Sequence, residues 1–311
     1  MTAAPRIAIL PDAGDARPAS AADLATAIEA GGGRMTSAQD AEGVVWTSWH
    51  NPELLRRTLA SLPGVRWVQF VTAGIDGLVP ALDTCRVWTS AKGCYSRPIA
   101  EYVLAGLLAG MRSLPGYARA RQWRAQPTRS LFGAAVTIVG GGGIASAVAE
   151  ILGPFDCTVT VVRRTECPHP GAARTVRLAA LPEVLRSTEV LVVAAALTPQ
   201  TRGIVDAAAL ACLPAGAWLV NVGRGQQVDT DALVGALHQG RLGGAVLDVT
   251  DPEPLPPGHP LWDCENVIIT PHTSCPAEIS VPYLLARVRD NVARFGRAEA
   301  LAGVVDVEAG Y

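Results

Sequence analysis

Three polar side chains stand directly after apolar, strand-like runs: Arg224 in "NVGRG", Glu253 in "LDVTDPEPLP" and His272 in "NVIITPHTS". If each run is a strand of a parallel α/β sheet, all three lie at carboxyl ends of strands, where such sheets bind ligands. Singly, each has a plain structural reading: a solvated turn arginine, a surface glutamate in a proline-rich loop, a hydrogen-bonded core histidine. Jointly they form a chemical set for reducing a 2-oxo acid. A guanidinium clamps a carboxylate bidentately and polarises the adjacent carbonyl. An imidazolium donates the proton that the carbonyl oxygen needs as hydride arrives. A carboxylate beside the imidazole orients the ring and supports its charge.

A second pattern supplies a place for the hydride carrier. "VTIVGGGGIASAVAEIL" runs from a strand through four glycines into a helix, and Gly140, Gly142 and Ala145 fill a G-x-G-x-x-G/A pattern. The first glycine permits the tight turn, the second lets a pyrophosphate approach the backbone, and a small third residue lets helix and strand pack closely. The N–H groups around Gly143 and Ile144 then face the pyrophosphate. The strand before, the helix after and the strand beyond give this short motif the context it needs. That next strand ends in "TVTVVRRTECP", so Arg163, Arg164 and Thr165 stand about where an acidic residue accepts the ribose hydroxyls of NAD. Two guanidiniums and a hydroxyl suit the 2′-phosphate of NADP instead.

The positioning elements follow from periodicity. "RIAIL" (6–10), "GVVWTS" (43–48) and "VRWVQFV" (65–71) read as strands, separated by helical spacings such as "PASAADLATAIEAGG" and "NPELLRRTLASL". Ser96-Arg97-Pro98 opens a long apolar helix. A second series of strands then runs from "AAVTIVGGGG" to "NVIITPH". The final helix, "PYLLARVRDNVARFG", has no strand of the second series after it and is expected to return to the first. The reading is α/β, with two Rossmann-like or flavodoxin-like parallel-sheet domains, the nucleotide domain inserted into a discontinuous substrate domain. Residues 1–97 and 280–311 form the substrate (catalytic) domain and 98–279 the NAD(P)-binding domain.

Composition bounds the alternatives. The chain has 311 residues, 49% hydrophobic and 17% charged, which suits two domains with sizeable cores. A net charge of -2 offers no basic footprint for nucleic acid and no field for a membrane surface. The seven cysteines include no C-x-x-C pair, so neither a disulfide framework nor a metal site is expected, and a cytoplasmic location fits. The first residues, "MTAAPRIAIL", have no charged lead and apolar signal core.

With these residues in view the sequence resembles the D-isomer-specific 2-hydroxyacid dehydrogenases, nearest to the glyoxylate/hydroxypyruvate reductase-like members. The resemblance runs through "LTPQTRGIVDAAALACLPAGAWLVNVGRG", "LDV…EPLP…HPLW" and "NVIITPH" and covers nearly the whole chain. It implies that Arg224, Glu253 and His272 are catalytic and face a cleft between two domains, in a homodimer built around the nucleotide domains. It also implies that Ala195, Val222 and Gly223 border the cofactor, and that Asp248 contacts the nicotinamide carboxamide. Backbone N–H groups of Ala73, Gly74 and Ile75, in "VTAGIDGL", are implied to hold the substrate carboxylate. Trp46, and Tyr95 in "AKGCYS", are implied near the substrate, and Trp123, in "RARQWR", at the dimer arm. Ala195-Ala196 replaces a Leu-Pro pair common in the family, Thr250 an aromatic and Ala145 the third glycine. None of these removes a group the chemistry requires. The expectation is NADPH-dependent reduction of a small 2-oxo acid such as glyoxylate or hydroxypyruvate, with NAD(H) as a possible cofactor. Rival readings are an NAD-linked dehydrogenase of a larger 2-hydroxy acid and a non-catalytic dinucleotide-sensing regulator.

Overall fold

Short β-branched runs bounded by glycine, proline and aspartate become parallel strands, and several of the helices start where a side chain caps them. The computed structural model describes residues 4–11, 19–49 and 51–311. Pro18, which opens one of the predicted helical stretches, lies outside the described residues. The chain divides into a unit of Met1–Tyr95 with Pro276–Tyr311 and a unit of Ser96–Cys275. The sequence reading set these boundaries at 97/98 and 279/280. They fall slightly earlier because one helix opens at Ser96 and the last opens at Ala277.

The first unit begins with β1 (Arg6–Leu10), α1 (Ala21–Ala30), β2 (Arg34–Met35), β3 (Gly43–Trp46), α2 (Pro52–Ala60), β4 (Trp67–Phe70) and β5 (Val87–Thr89). Ser20 caps α1 by accepting from the Asp23 N–H, and Asn51 caps α2 by accepting from the Leu54 N–H. The sheet is parallel in the order β2-β1-β3-β4-β5, a flavodoxin-like arrangement.

The second unit contains α3 (Ser96–Met111), α4 (Leu114–Arg119), β6 (Ala135–Val139), α5 (Gly143–Leu152), β7 (Thr158–Arg163), β8 (Arg174–Arg177) and α6 (Leu181–Leu185). It continues through β9 (Val190–Val193), α7 (Ala207–Cys212), β10 (Ala217–Asn221), α8 (Thr230–His238), β11 (Leu242–Leu247) and β12 (Val267–Ile269). Its seven parallel strands run β12-β11-β10-β9-β6-β7-β8, so strand order reverses between β6 and β9. That is the switch point at which a doubly wound sheet opens a crevice for a ligand. The strands also end in step: Val139 pairs with Val162 and Val193, Val193 with Asn221, Asn221 with Leu247, and Leu247 with Ile269. Whatever follows these residues is delivered to one edge.

The last helix, α9 (Ala277–Gly296), belongs to the first unit and packs on α1. It buries Ser280, Leu284, Val288, Asn291 and Val292, and it starts before the predicted "PYLLARV" run, with Pro282 inside it. Among the described residues no helix is long and apolar enough to cross a membrane.

One expectation is corrected at this level. Trp46 ends the central strand β3, all four of whose residues are buried, and its own accessibility is 0%. It packs in a core with Leu10, Phe70 and Trp88, so the ring fills the first unit where the sequence reading placed it beside the substrate. Trp46→Ala should therefore cost about 3–5 kcal/mol of stability, read as a lowered unfolding midpoint. An unchanged midpoint would place the ring outside the core.

Candidate active site

The glycine turn is built as its residues require. Gly140 follows β6 with φ +117°, and a Cβ there would lie 2.6 Å from the Ala194 carbonyl at the end of β9. No L side chain fits both the dihedral and the space. Gly142 is the N-cap of α5, and nothing lies within 4 Å of where its Cβ would be. The N–H groups of Gly143 and Ile144 open the helix beside that space. Ala145, in the third small position, is buried against the sheet. Arg163, the last residue of β7, lies over the turn: its Cδ is 2.8 Å from the position of a Cβ on Gly141. Arg164 and Thr165 follow, exposed.

On the other side of the switch point, β11 ends at Leu247 and the next residue, Asp248, is 1% exposed. Its Oδ1 accepts from the Thr270 hydroxyl (2.7 Å) and from the backbone N–H groups of Thr273 (2.7 Å) and Ser274 (2.9 Å). Its backbone carbonyl accepts from the His272 N–H at 2.8 Å. The loop after β12 is thus wrapped around one carboxyl group, and His272 takes a left-handed φ of +55° within it. The Thr270 hydroxyl spends its proton on Asp248, so Tyr102 of α3, 2.6 Å from Thr270 Oγ1, is the donor in that pair. Burial pushes the Tyr102 hydroxyl up to about 12, which keeps that proton in place.

His272 Nδ1 is 2.8 Å from Glu253 Oε1, with both side chains partly open to solvent at 43% and 39%. A carboxylate accepts, so Nδ1–H donates and Nε2 is the nitrogen left to exchange a proton. Arg224 follows β10 in extended backbone. Its N–H donates to Gln227 Oε1 (2.8 Å), its carbonyl accepts from Asn221 Nδ2 (3.0 Å), and its Nη1 donates to the Gly223 carbonyl (2.8 Å). A Cβ on Gly225 would sit on the Thr250 carbonyl, so only glycine lets the arginine loop pack on the strand end leading to Glu253. Val222 and Gly223 are buried and Ala195 half-buried.

In the first unit, the loop after β4 carries Ala73 and Gly74 exposed, while the side chain of Ile75 enters the core. Among the described residues, the N–H groups of Ala73, Gly74 and Ile75 donate to no protein acceptor. Tyr95 is half-buried, and its hydroxyl donates to the Val71 carbonyl at 3.1 Å. Trp123, in the second unit, is fully exposed in an irregular stretch. Reasoning from sequence missed Tyr102, Thr270, Asn221 and Gln227. Thr270 was discoverable from its place in "ITPH", but Tyr102 looks like one more residue of an apolar helix. Among the described residues no cluster of His, Cys, Asp and Glu is arranged to hold a metal ion.

Two observations test whether a dinucleotide fits. The space beside Gly142 suits a pyrophosphate that needs close backbone approach. Asp248 Oδ2 is buried with no partner, and an amide N–H₂ such as that of a nicotinamide carboxamide is the kind of donor it lacks. The residues present fit. A dinucleotide site and an oriented imidazole on the same sheet edge define a pyridine-nucleotide oxidoreductase, a class that interconverts alcohols and carbonyls.

The comparisons with known proteins narrow that class. The family model for the D-isomer specific 2-hydroxyacid dehydrogenase NAD-binding domain matches residues 103–274. An uncharacterized protein in a proB 3′ region of Corynebacterium melassecola is 36% identical over 297 residues, 92% of this chain and 96% of that one. Glyoxylate/hydroxypyruvate reductase A of Klebsiella pneumoniae (strain 342) is 32% identical over 219 residues, 69% of each chain. The crystal structure of a D-isomer specific 2-hydroxyacid dehydrogenase from Xanthobacter autotrophicus Py2, in complex with NADPH and MES, superposes with a TM-score of 0.85 at 29% identity and covers 100% of both chains. The chain belongs to the D-isomer-specific 2-hydroxyacid dehydrogenases, enzymes that use NAD(P).

Tyr102→Phe tests the positioning network. It removes the proton donated to Thr270 and should lower kcat about three- to tenfold, the scale of one buried hydrogen bond, with cofactor affinity little changed. An unaltered kcat would show that the loop holds its shape without Tyr102.

Proposed function

We propose that the protein is an NADPH-dependent reductase of small 2-oxo acids, glyoxylate- or hydroxypyruvate-like, forming the D-2-hydroxy acid. The observation that carries the cofactor reading is Arg163 lying over the glycine turn, with Arg164 and Thr165 beside it, where a carboxylate would repel a 2′-phosphate. The NADPH bound to the Xanthobacter relative supports it. The name of the Klebsiella relative supports the substrate class. The rival readings, an NAD-linked dehydrogenase of larger substrates and a non-catalytic sensor, have no comparable observation in their favour.

Gly140, Gly142, Gly143 and Ile144 would hold the pyrophosphate, Arg163 to Thr165 the adenosine end, and Asp248 the carboxamide, with Ala195, Val222 and Gly223 bordering the cofactor. The bound cofactor supplies a hydride to the 2-carbon. His272 Nε2 gives a proton to the oxygen of the same carbonyl, and Glu253 keeps Nδ1 engaged so that the ring presents Nε2. Arg224 binds the carboxylate and draws electron density from the adjacent carbonyl. The N–H groups of Ala73, Gly74 and Ile75 are a further set of carboxylate donors, carried by the first unit. Trp123, fully exposed, suits an apolar contact with a second copy through the nucleotide units. The free cysteines suit a reducing compartment such as the cytoplasm.

The test is a panel of 2-oxo acids assayed with NADPH and with NADH. Each charge-assisted hydrogen bond is worth about 1.5–3 kcal/mol, so two should favour NADPH by roughly a hundredfold or more in kcat/KM. Arg163→Asp should collapse or reverse that ratio, while turnover at saturating cofactor stays similar. A wild-type ratio near one would end the NADPH reading, and no turnover across the panel would favour the sensor. On the chemical side, His272→Ala should lower kcat by about two to four orders of magnitude. Near-normal turnover in a folded variant would remove His272 from its role.

A further inference from the structure

The segment that carries Arg164 and Thr165 continues as an irregular loop from the end of β7 to the start of β8. Most of it is exposed, from Arg164 to Pro168, and exposed loops hold no fixed geometry unless something anchors them. His169 is the exception, at 5% accessibility. Its Nε2 is 3.1 Å from the Ser146 hydroxyl, in the first turn of α5. Its backbone N–H donates to Thr175 Oγ1 (3.0 Å), and its carbonyl accepts from the Ala172 N–H (3.1 Å). Two residues on, Gly171 (φ +79°) brings the loop against α5, where a Cβ would lie 3.2 Å from Ala149 Cβ. One buried imidazole therefore ties the loop after β7 to the helix that begins at the glycine turn. Burial pushes the imidazole down from its usual range, with the Pro170 backbone opposing the shift and the positive charge of Arg163 adding to it, which favours a neutral ring that pairs with a hydroxyl rather than with an ion.

We propose that His169 is a positioning residue for cofactor selectivity. By clipping the loop to α5 it sets where Arg164 and Thr165 stand relative to the pyrophosphate turn, without touching the cofactor itself. The inference rests on the reading of Arg163, Arg164 and Thr165 as the 2′-phosphate site. Its logic is geometric. A phosphate oxygen is recognised by donors held within a few tenths of an ångström of their places. The ribose of NADH asks much less of this loop, so a loosened clip should cost NADPH and largely spare NADH.

The experiment is direct binding, by quenching of protein fluorescence with NADPH and with NADH and no substrate, on wild type, His169→Ala, His169→Gln and Ser146→Ala. His169→Ala should raise the Kd for NADPH about three- to tenfold, the scale of one hydrogen bond, and the Kd for NADH by less than about twofold. His169→Gln, whose amide can still meet the Ser146 hydroxyl, should recover most of the loss. Ser146→Ala should reproduce the alanine variant's selectivity from the other side of the bond, and it serves alone if His169→Ala does not fold. Equal losses for both nucleotides would mean that His169 only stabilises the fold, and unchanged Kd values that the loop needs no clip; either overturns the proposal. A wild type that binds both nucleotides equally overturns the 2′-phosphate reading, and the inference with it. A selective wild type whose variants keep that selectivity overturns this inference alone.

Discussion

The buried carboxylate of Asp248 governs the geometry around it. Taking an ionised carboxylate out of water costs several kcal/mol unless hydrogen bonds replace the solvent. Here one oxygen receives three, and two of those come from consecutive backbone N–H groups of Thr273 and Ser274. The loop cannot swing away without leaving the charge unpaired. His272 lies between the loop's two anchors, its own N–H held by the Asp248 carbonyl, and so it accepts a left-handed backbone that a non-glycine residue rarely adopts. Strain of this kind persists only where the surroundings over-determine it, and here they do.

The second constraint is register. Because these strands of the second unit are parallel and end together, six separate turns arrive on one edge of one sheet. Gly140, Arg163, Arg224, Asp248 and His272 each stand within three positions of a strand's last residue, so they have little freedom to wander. Gly140 and Arg163 come from one side of the switch point, Arg224, Asp248 and His272 from the other. No long-range contact has to be invented to assemble them; the hydrogen-bond ladder has already done so. The glycines at 140 and 225 then remove the Cβ atoms that would keep neighbouring turns apart.

Much of this was legible in the sequence, because the strongest signals were local. Runs such as "VTIV" and "VLVV" are fully buried in their strands with no competing pattern, and the glycine turn between strand and helix has few other uses. Glu253 and His272 are 19 residues apart in sequence, yet their pairing followed from each standing after a strand. The edge strands β2, β5 and β8 were not legible. They are two to four residues long, and β8, "RTVR", has an exposed arginine at each end as a solvated edge does. Trp46 misled because an aromatic at the end of a strand signals a ligand and a core equally well. Tyr102 and His169 were invisible for a different reason. Their roles are defined by the residue they touch, Thr270 for one and Ser146 for the other, and no spacing along the chain connects those partners.

The two ends of the site are physically independent. His272 follows β12 and Arg163 ends β7, and five strand spacings separate those strands in the sheet. At 4.7–4.9 Å per spacing the separation is roughly 24 Å. Groups that far apart with no shared partner contribute additively, so on the proposed reading the adenosine end can be altered without disturbing proton transfer. The architecture keeps them apart by construction: Asp248 and Thr270 hold the chemical end through a carboxylate, while His169 and Ser146 hold the other through a neutral pair. On the proposed reading, selectivity for a cofactor phosphate can therefore change on β7 and its loop while the His272–Glu253 pair stays as it is, because among the described residues no hydrogen bond runs from one network to the other.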